Sequence, residues 1–244
     1  MTDFVIKPVV GTHKKKYPPH RYKCIPQHPT TALFIGTRNS GKSTIIHNLL
    51  SNAYKKYFHR IIIMSPNINM DELYMDLCTD QKIDISDCHA QFDDEILQAV
   101  MDRQIAVQEM INEIKAENEG LPKDDRRQVP KMPRVLIIID DSAPSLGENK
   151  VLKNLFQIGR HQSISTFLIT QKYKQLHTAL RANAENIIIT RVANKQEMNS
   201  ITEEKNIPIL ARFLEQLADE GKYNFAWIDR WDKVHKNFSE KVYN

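Results

Sequence analysis

The sequence predicts an α/β fold, a mainly parallel sheet with helices on both faces, and three observations carry that reading. Short apolar runs alternate with helical segments along the chain, the pattern that strand–helix–strand units require. One run, "TALFI" (31–35), leads straight into the glycine-bounded loop "GTRNSGKS" (36–43) and then into a helix. Another, "RVLIIIDD" (134–141), holds five consecutive apolar residues, Val135 to Ile139, and closes on two carboxylates, as a central buried strand does when it ends at a site.

The loop carries the most chemistry. A phosphate chain needs several N–H donors converging from a backbone free of Cβ interference, so glycines are required where the loop opens and closes. Gly36 and Gly41 stand at those places, and Lys42 and Ser43 follow at the spacing of a P-loop. In that pattern the lysine reaches the β- and γ-phosphates and the hydroxyl ligates Mg²⁺. "STIIHNLL" (43–50) puts Ile45, Ile46, Leu49 and Leu50 on one helical face, so the loop sits between a buried strand and a helix N-terminus. The nucleotide-binding set is therefore Gly36, Thr37, Arg38, Asn39, Ser40, Gly41, Lys42, Ser43 and Thr44.

A hydrolase also needs an acidic half-site. Asp140, at the carboxyl end of its strand, is placed to hold the Mg²⁺ shell, and Asp141 to orient or deprotonate the attacking water. The competing reading, in which the paired acids only cap the next helix, weighs more on Asp141 than on Asp140.

The remaining elements follow in order. "HRIIIMSP" (59–66) is a second buried strand stopped by Pro66, and 67–92 reads as irregular. Residues 93–120 form a long amphipathic helix with Ile96, Val100, Val107, Met110, Ile111 and Ile114 near one stripe and Gly120 as its stop. A proline-flanked polar loop (121–133) precedes the acidic strand. Residues 147–162 form a helix ending near Gly159, which delivers Arg160 and His161 into the turn before "SISTFLIT" (163–170). "YKQLHTALRANA" is helical, "NIIIT" (186–190) is a strand, and two helices around Pro208 precede a last strand at 223–229.

Composition bounds the class. At 244 residues and 41% hydrophobic content the chain has the length for a substantial core, in one α/β domain or, as the alternative, two small ones. Three cysteines without a CxxC pair argue against a disulfide framework or a zinc ribbon and for a reducing, intracellular compartment. No apolar run has the length of a membrane span. The net charge of +4 is unevenly spread: Lys7, Lys14, Lys15, Lys16, Arg21 and Lys23 form an acid-free run interleaved with tyrosines and prolines. The chain thus divides into a basic N-terminal arm (1–30), a P-loop domain (31–229) and a basic C-terminal tail (230–244). The arm is suited to nucleic-acid phosphates or an acidic partner, with a solvated, unspecific arm an equal reading.

"ALFIGTRNSGKST", "RVLIIIDDS", "LFQIGRHQSISTFLITQ" and "NIIIT" together resemble the genome-packaging ATPases of the FtsK/HerA branch, the type found in poxviruses, other large DNA viruses and virophages. The resemblance spans about residues 31–192. It implies a RecA-like sheet with an additional strand (the ASCE arrangement) and an ATP- and Mg²⁺-dependent hydrolase. It implies assembly into a homo-oligomeric ring, pentamer or hexamer, around double-stranded DNA. That DNA would be driven into a preformed capsid through contacts with capsid vertex proteins, in the host cytoplasm or a viral factory or in association with the virion. Gln171, at the end of the third strand, becomes the residue that senses the γ-phosphate. Arg160, in the family's "RH" element, becomes the first choice for an arginine entering a neighbouring subunit's site, ahead of Arg191 and Arg38. The Asp-Asp pair stands where many relatives have Asp-Glu, which shortens the reach of the base. The alternative is a small nucleoside or nucleotide kinase, or another P-loop NTPase not acting on DNA. A regulatory GTPase is disfavoured, because "NKQE" (194–197) has glutamate where guanine reading needs aspartate and is better read as a helix start.

Overall fold

The computed structural model describes residues 20–140, 148–192, 194–219 and 223–243. Strands β1 (Thr31–Ile35), β2 (Arg60–Met64), β3 (Cys88–His89), β4 (Val135–Asp140), β5 (Ile164–Thr170), β6 (Asn186–Ile189), β7 (Ala226–Ile228), β8 (Val234–Lys236) and β9 (Val242–Tyr243) form one sheet among the described residues. Their order is β3-β2-β4-β5-β1-β6-β7-β8-β9. From β3 to β6 every pairing is parallel, and β7, β8 and β9 continue antiparallel. The last two strands lie within 230–244.

The helices are α1 (Lys42–Asn48), continued by a wider π turn over Leu49–Ala53, then α2 (Glu72–Gln81), α3 (Asp94–Glu119) and α4 (Lys150–Ile158). After them come α5 (Thr178–Ala182), α6 (Lys195–Lys205) and α7 (Ile209–Asp219). Because strand side chains alternate between faces, the central strands divide the core in two. Leu33, Ile35, Ile137, Ile139 and Leu168 face a layer built by Leu97 and Met101 of α3, Leu152 and Phe156 of α4, and Phe213 and Leu217 of α7. Ala32, Phe34, Leu136, Ile138 and Phe167 face the other layer, with Ile45 and Ile46 of α1 and Tyr74 and Leu77 of α2. The sheet is covered on both faces, which is why its strands read as continuous apolar runs.

Three readings of the sequence are revised: the strand expected at 223–229 is not the last, since β8 and β9 extend the sheet beyond it, and two further segments differ. The segment 67–92 holds α2 and β3: Asp71 caps α2 by accepting from Leu73 N–H at 3.0 Å, and β3 pairs with β2. In α3 the buried face is shifted from the expected stripe: Leu97 and Met101 are in the core with Val100, Ile111 and Ile114, whereas Met110 is 44% exposed. The buried face also includes a polar residue, Gln104, whose amide donates to Pro133 O at 3.0 Å and Gln162 O at 2.8 Å.

Candidate active site

The site lies at the carboxyl ends of the parallel strands, the edge where open α/β sheets place their ligands. β5 lies between β1 and β4, with Ile35 opposite Thr170 and Asp140 opposite Ile169. The P-loop, Asp140 and Gln171 are thereby carried to the same edge on adjacent strands. A Gly36 N–H bond to Thr170 O at 3.2 Å ties the start of the loop to the residue preceding Gln171.

The loop's two glycines are required for different reasons. At Gly36 a Cβ would stand 1.9 Å from Thr190 Oγ1 and 2.7 Å from Ser40 Oγ, so side-chain oxygens fill the space. At Gly41 the backbone is left-handed, φ +93°, and a Cβ would meet the Tyr223 ring at 2.9 Å. Thr37 N–H donates to Arg191 O at 2.8 Å, and the Ser40 and Thr190 hydroxyls are 2.7 Å apart. Lys42 Nζ donates to Gly36 O at 2.7 Å and Thr37 O at 2.9 Å, so the ammonium is folded back over the loop it closes. Arg38 and Asn39 are exposed at its tip, and Ser43 and Thr44 open α1 half-buried.

Asp140 is buried, 7% exposed, and accepts a 2.5 Å hydrogen bond from Tyr74 Oη of α2. Burial, then the negative charge of Asp140 and the hydrogen bond to it, push the Tyr74 phenol far above its usual pKa. A hydrogen bond with Ser43 works in the opposite direction on the same group. Tyr74 Oη therefore ties α2 to the carboxylate of β4. Tyr74 escaped the sequence reading, although Asp71 as a cap and the Tyr74–Leu77 spacing were signals of a buried helical face.

Gln171 is half-buried, and the turn after it is held from α6. The Glu197 carboxylate, 9% exposed, accepts from Tyr173 N–H and, at 3.4 Å, from Lys174 N–H. Asn194 caps α6 by accepting from Glu197 N–H at 2.9 Å, so "NKQE" is a helix start. Arg160 is on the opposite edge of the sheet, in the 3₁₀ turn before β5. It pairs with Glu185 at 2.6 Å, and Arg230 binds the second oxygen of that carboxylate at 3.0 Å. Asp141 lies outside the described residues, as do Lys7, Lys14, Lys15 and Lys16 of the arm.

The strand order, the loop and the carboxylate on the strand beyond β5 define the class: a RecA-like P-loop ATPase with an additional strand, of the FtsK/HerA type. The chain belongs to the poxvirus A32 protein family, whose model matches residues 20–219, and it is thereby an ATPase of the viral genome-packaging kind. No curated protein matches the chain. Solved structures similar in fold include the genome packaging NTPase B204 from Sulfolobus turreted icosahedral virus 2 in complex with ATP-gammaS. Its TM-score is 0.58 and its identity 16%, over 85% of this chain and 96% of that one. The cytoplasmic domain of the Thermomonospora curvata type VII secretion ATPase EccC has TM-score 0.56 and 15% identity, covering 85% of this chain and 25% of that one. The pCW3 conjugation coupling protein TcpA, with ATPgS, has TM-score 0.53 and 13% identity over 86% and 61%. Among the described residues no helix is long and apolar enough to cross a membrane.

Proposed function

We propose that the protein is an ATP-driven double-stranded DNA translocase that packages a viral genome into a preformed capsid, working as a homo-oligomeric ring with capsid vertex proteins as partners. The observation that carries the motor reading is that the P-loop after β1 and Asp140 at the end of β4 lie at the same carboxyl edge, on the two strands that flank β5. The packaging reading is supported by membership of the A32 family. The description of a similar fold, B204 from Sulfolobus turreted icosahedral virus, as a DNA-packaging ATPase supports it further (TM-score 0.53, 17% identity, 85% of this chain and 96% of that one).

Mg²⁺ fits the donors present. A hydroxyl and a carboxylate are the hard oxygen ligands it prefers, and it is held by one or two such groups together with substrate phosphates. Ser43 and Asp140 would hold it, and bound there it would neutralise charge on the β- and γ-phosphates. Lys42, already within the loop, exchanges carbonyl partners for phosphate oxygens. Asp141 follows Asp140 directly and acts as base toward water. Gln171 reports the γ-phosphate, and its turn transmits the signal to α6 through Glu197. Arg160 lies across the sheet from its own P-loop, so it serves a neighbouring subunit's site and must leave Glu185 to do so. Residues 31–229 act as the motor unit. The arm (1–30) and the C-terminal segment (230–244) add cations for sequence-independent contact with DNA phosphates.

The test is ATP turnover with and without double-stranded DNA in the parent chain and in Lys42→Ala. Stimulation by DNA, abolished with turnover in the variant, is the expected result. Stimulation by a nucleoside or nucleotide acceptor instead of DNA would establish the kinase alternative.

A further inference from the structure

Tyr74 is placed where a site residue belongs and is assigned no role by the P-loop or the acidic strand. It stands on the first turn of α2, a helix started by the Asp71 cap, and its ring is 2% exposed in the layer formed with Ile45, Ile46 and Phe34. The ring's packing is that of any core aromatic. Its hydroxyl is different: it donates to Asp140 Oδ2 at 2.5 Å, so the carboxylate that ends β4 is held by an oxygen carried on a neighbouring helix. A buried hydrogen bond to a charged carboxylate fixes that carboxylate's rotamer, because any rotation strands a charge away from water. Groups that orient a metal ligand from behind in this way set its affinity for the ion.

We propose that Tyr74 is a positioning residue for the magnesium-binding pair. Its hydroxyl holds the Asp140 carboxylate in the orientation in which it and Ser43 would meet the ion, and α2 thereby belongs to the active site. The inference rests on the reading of the protein as a Mg²⁺-ATP hydrolase. It separates two properties that a purely structural tyrosine would not: metal-free nucleotide binding, which depends on the loop, and capture of the ion, which depends on Asp140 and Ser43.

Tyr74→Phe keeps the ring and removes the one oxygen. A fluorescent ATP analogue is titrated against parent and variant in EDTA, and then at fixed nucleotide with increasing Mg²⁺; turnover is followed over the same Mg²⁺ range. In EDTA the two proteins are expected to bind alike, whereas half-saturating Mg²⁺ rises on the order of 10-fold in the variant and high Mg²⁺ restores turnover. Asp140→Asn closes a double-mutant cycle: in that background Tyr74→Phe adds nothing further to the Mg²⁺ requirement. An unchanged Mg²⁺ midpoint in Tyr74→Phe, or an equal loss of binding with and without the ion, overturns the inference. Failure of the parent chain to bind ATP in a Mg²⁺-dependent manner would instead overturn the hydrolase reading.

Discussion

At the scale of single residues, the space around Gly36 decides whether the loop can form. A Cβ there falls 1.9 Å from Thr190 Oγ1, and that oxygen is itself committed to Ile35 O at 3.1 Å and lies 2.7 Å from Ser40 Oγ. Gly36→Ala must move the end of β6 or the loop, at a cost of about 1–3 kcal/mol for such overpacking, and nucleotide affinity should fall with it. Thr190→Ala removes the oxygen in the way. The pair should therefore be non-additive in denaturant unfolding: Gly36→Ala costs less stability in the Thr190→Ala background than alone, and equal costs in both backgrounds would refute the steric account. A second residue-scale expectation concerns His28, buried with Ser165 Oγ at 2.7 Å and Ser163 Oγ at 3.1 Å. Burial, with Arg134 and His59 adding positive charge nearby, pulls its pKa down to about 3 from the ordinary 6.5. The folded state holds the ring neutral while the unfolded chain protonates it below 6.5. Stability from this group is full above that pH and is lost as pH falls from 6.5 toward 3, with a limiting slope of about 1.4 kcal/mol per pH unit. Urea midpoints measured between pH 7 and pH 4 should show that loss, and His28→Asn should flatten it.

At the scale of elements, legibility followed how much of a segment's logic was local. β1, β4, β5 and β6 are buried on both faces, so their apolar runs announced them, and the P-loop was legible because glycine geometry and spacing are fixed by the phosphate chain it serves. α2 was not legible. Only Tyr74 and Leu77 are buried, and Met75 is 46% exposed, so the helical period is carried by two residues, and Tyr74 enters the site through a tertiary contact with Asp140 that no local pattern encodes. β3 and β9 were hidden for the same reason: a two-residue strand exists only because a neighbour pairs with it. The far end of α2 has its own consequence. Cys78 Sγ lies 3.3 Å from Cys88 Sγ of β3, and burial, with the hydrogen bond between the two thiols second, pushes the Cys88 thiol up to about 12. Since the thiolate is the nucleophile, Cys88 should resist iodoacetamide at pH 8 in the folded protein and react once the chain is unfolded. Peptide mapping of the alkylated cysteines checks this, and rapid modification of Cys88 at pH 8 under native conditions would contradict it.

At the scale of the molecule, the sheet carries the P-loop and Arg160 at opposite edges. Lys42, Asp140 and Gln171 occupy the carboxyl edge, while Arg160 sits at the amino edge, docked with Arg230 on Glu185. The shared carboxylate holds both guanidinium groups in a defined place, and its one negative charge offsets only one of them. If a neighbouring subunit's Arg160 completes each centre, Lys42→Ala and Arg160→Ala disable different partners of the same interface. Each variant alone should be inactive, the first for want of a P-loop cation and the second for want of the arginine, whose loss costs about 10³–10⁵-fold in phosphoryl-transfer motors. Mixed in equal amounts before assembly, they should regain turnover, because a subunit with intact Lys42 can meet a neighbour with intact Arg160. Random mixing makes such pairs about a quarter of all sites, so turnover near a quarter of the parent's is expected where each site works independently. Two inactive variants that stay inactive when mixed would place Arg160 outside the neighbour's site. An Arg160→Ala variant active on its own would leave the Glu185 cluster as a structural ion pair.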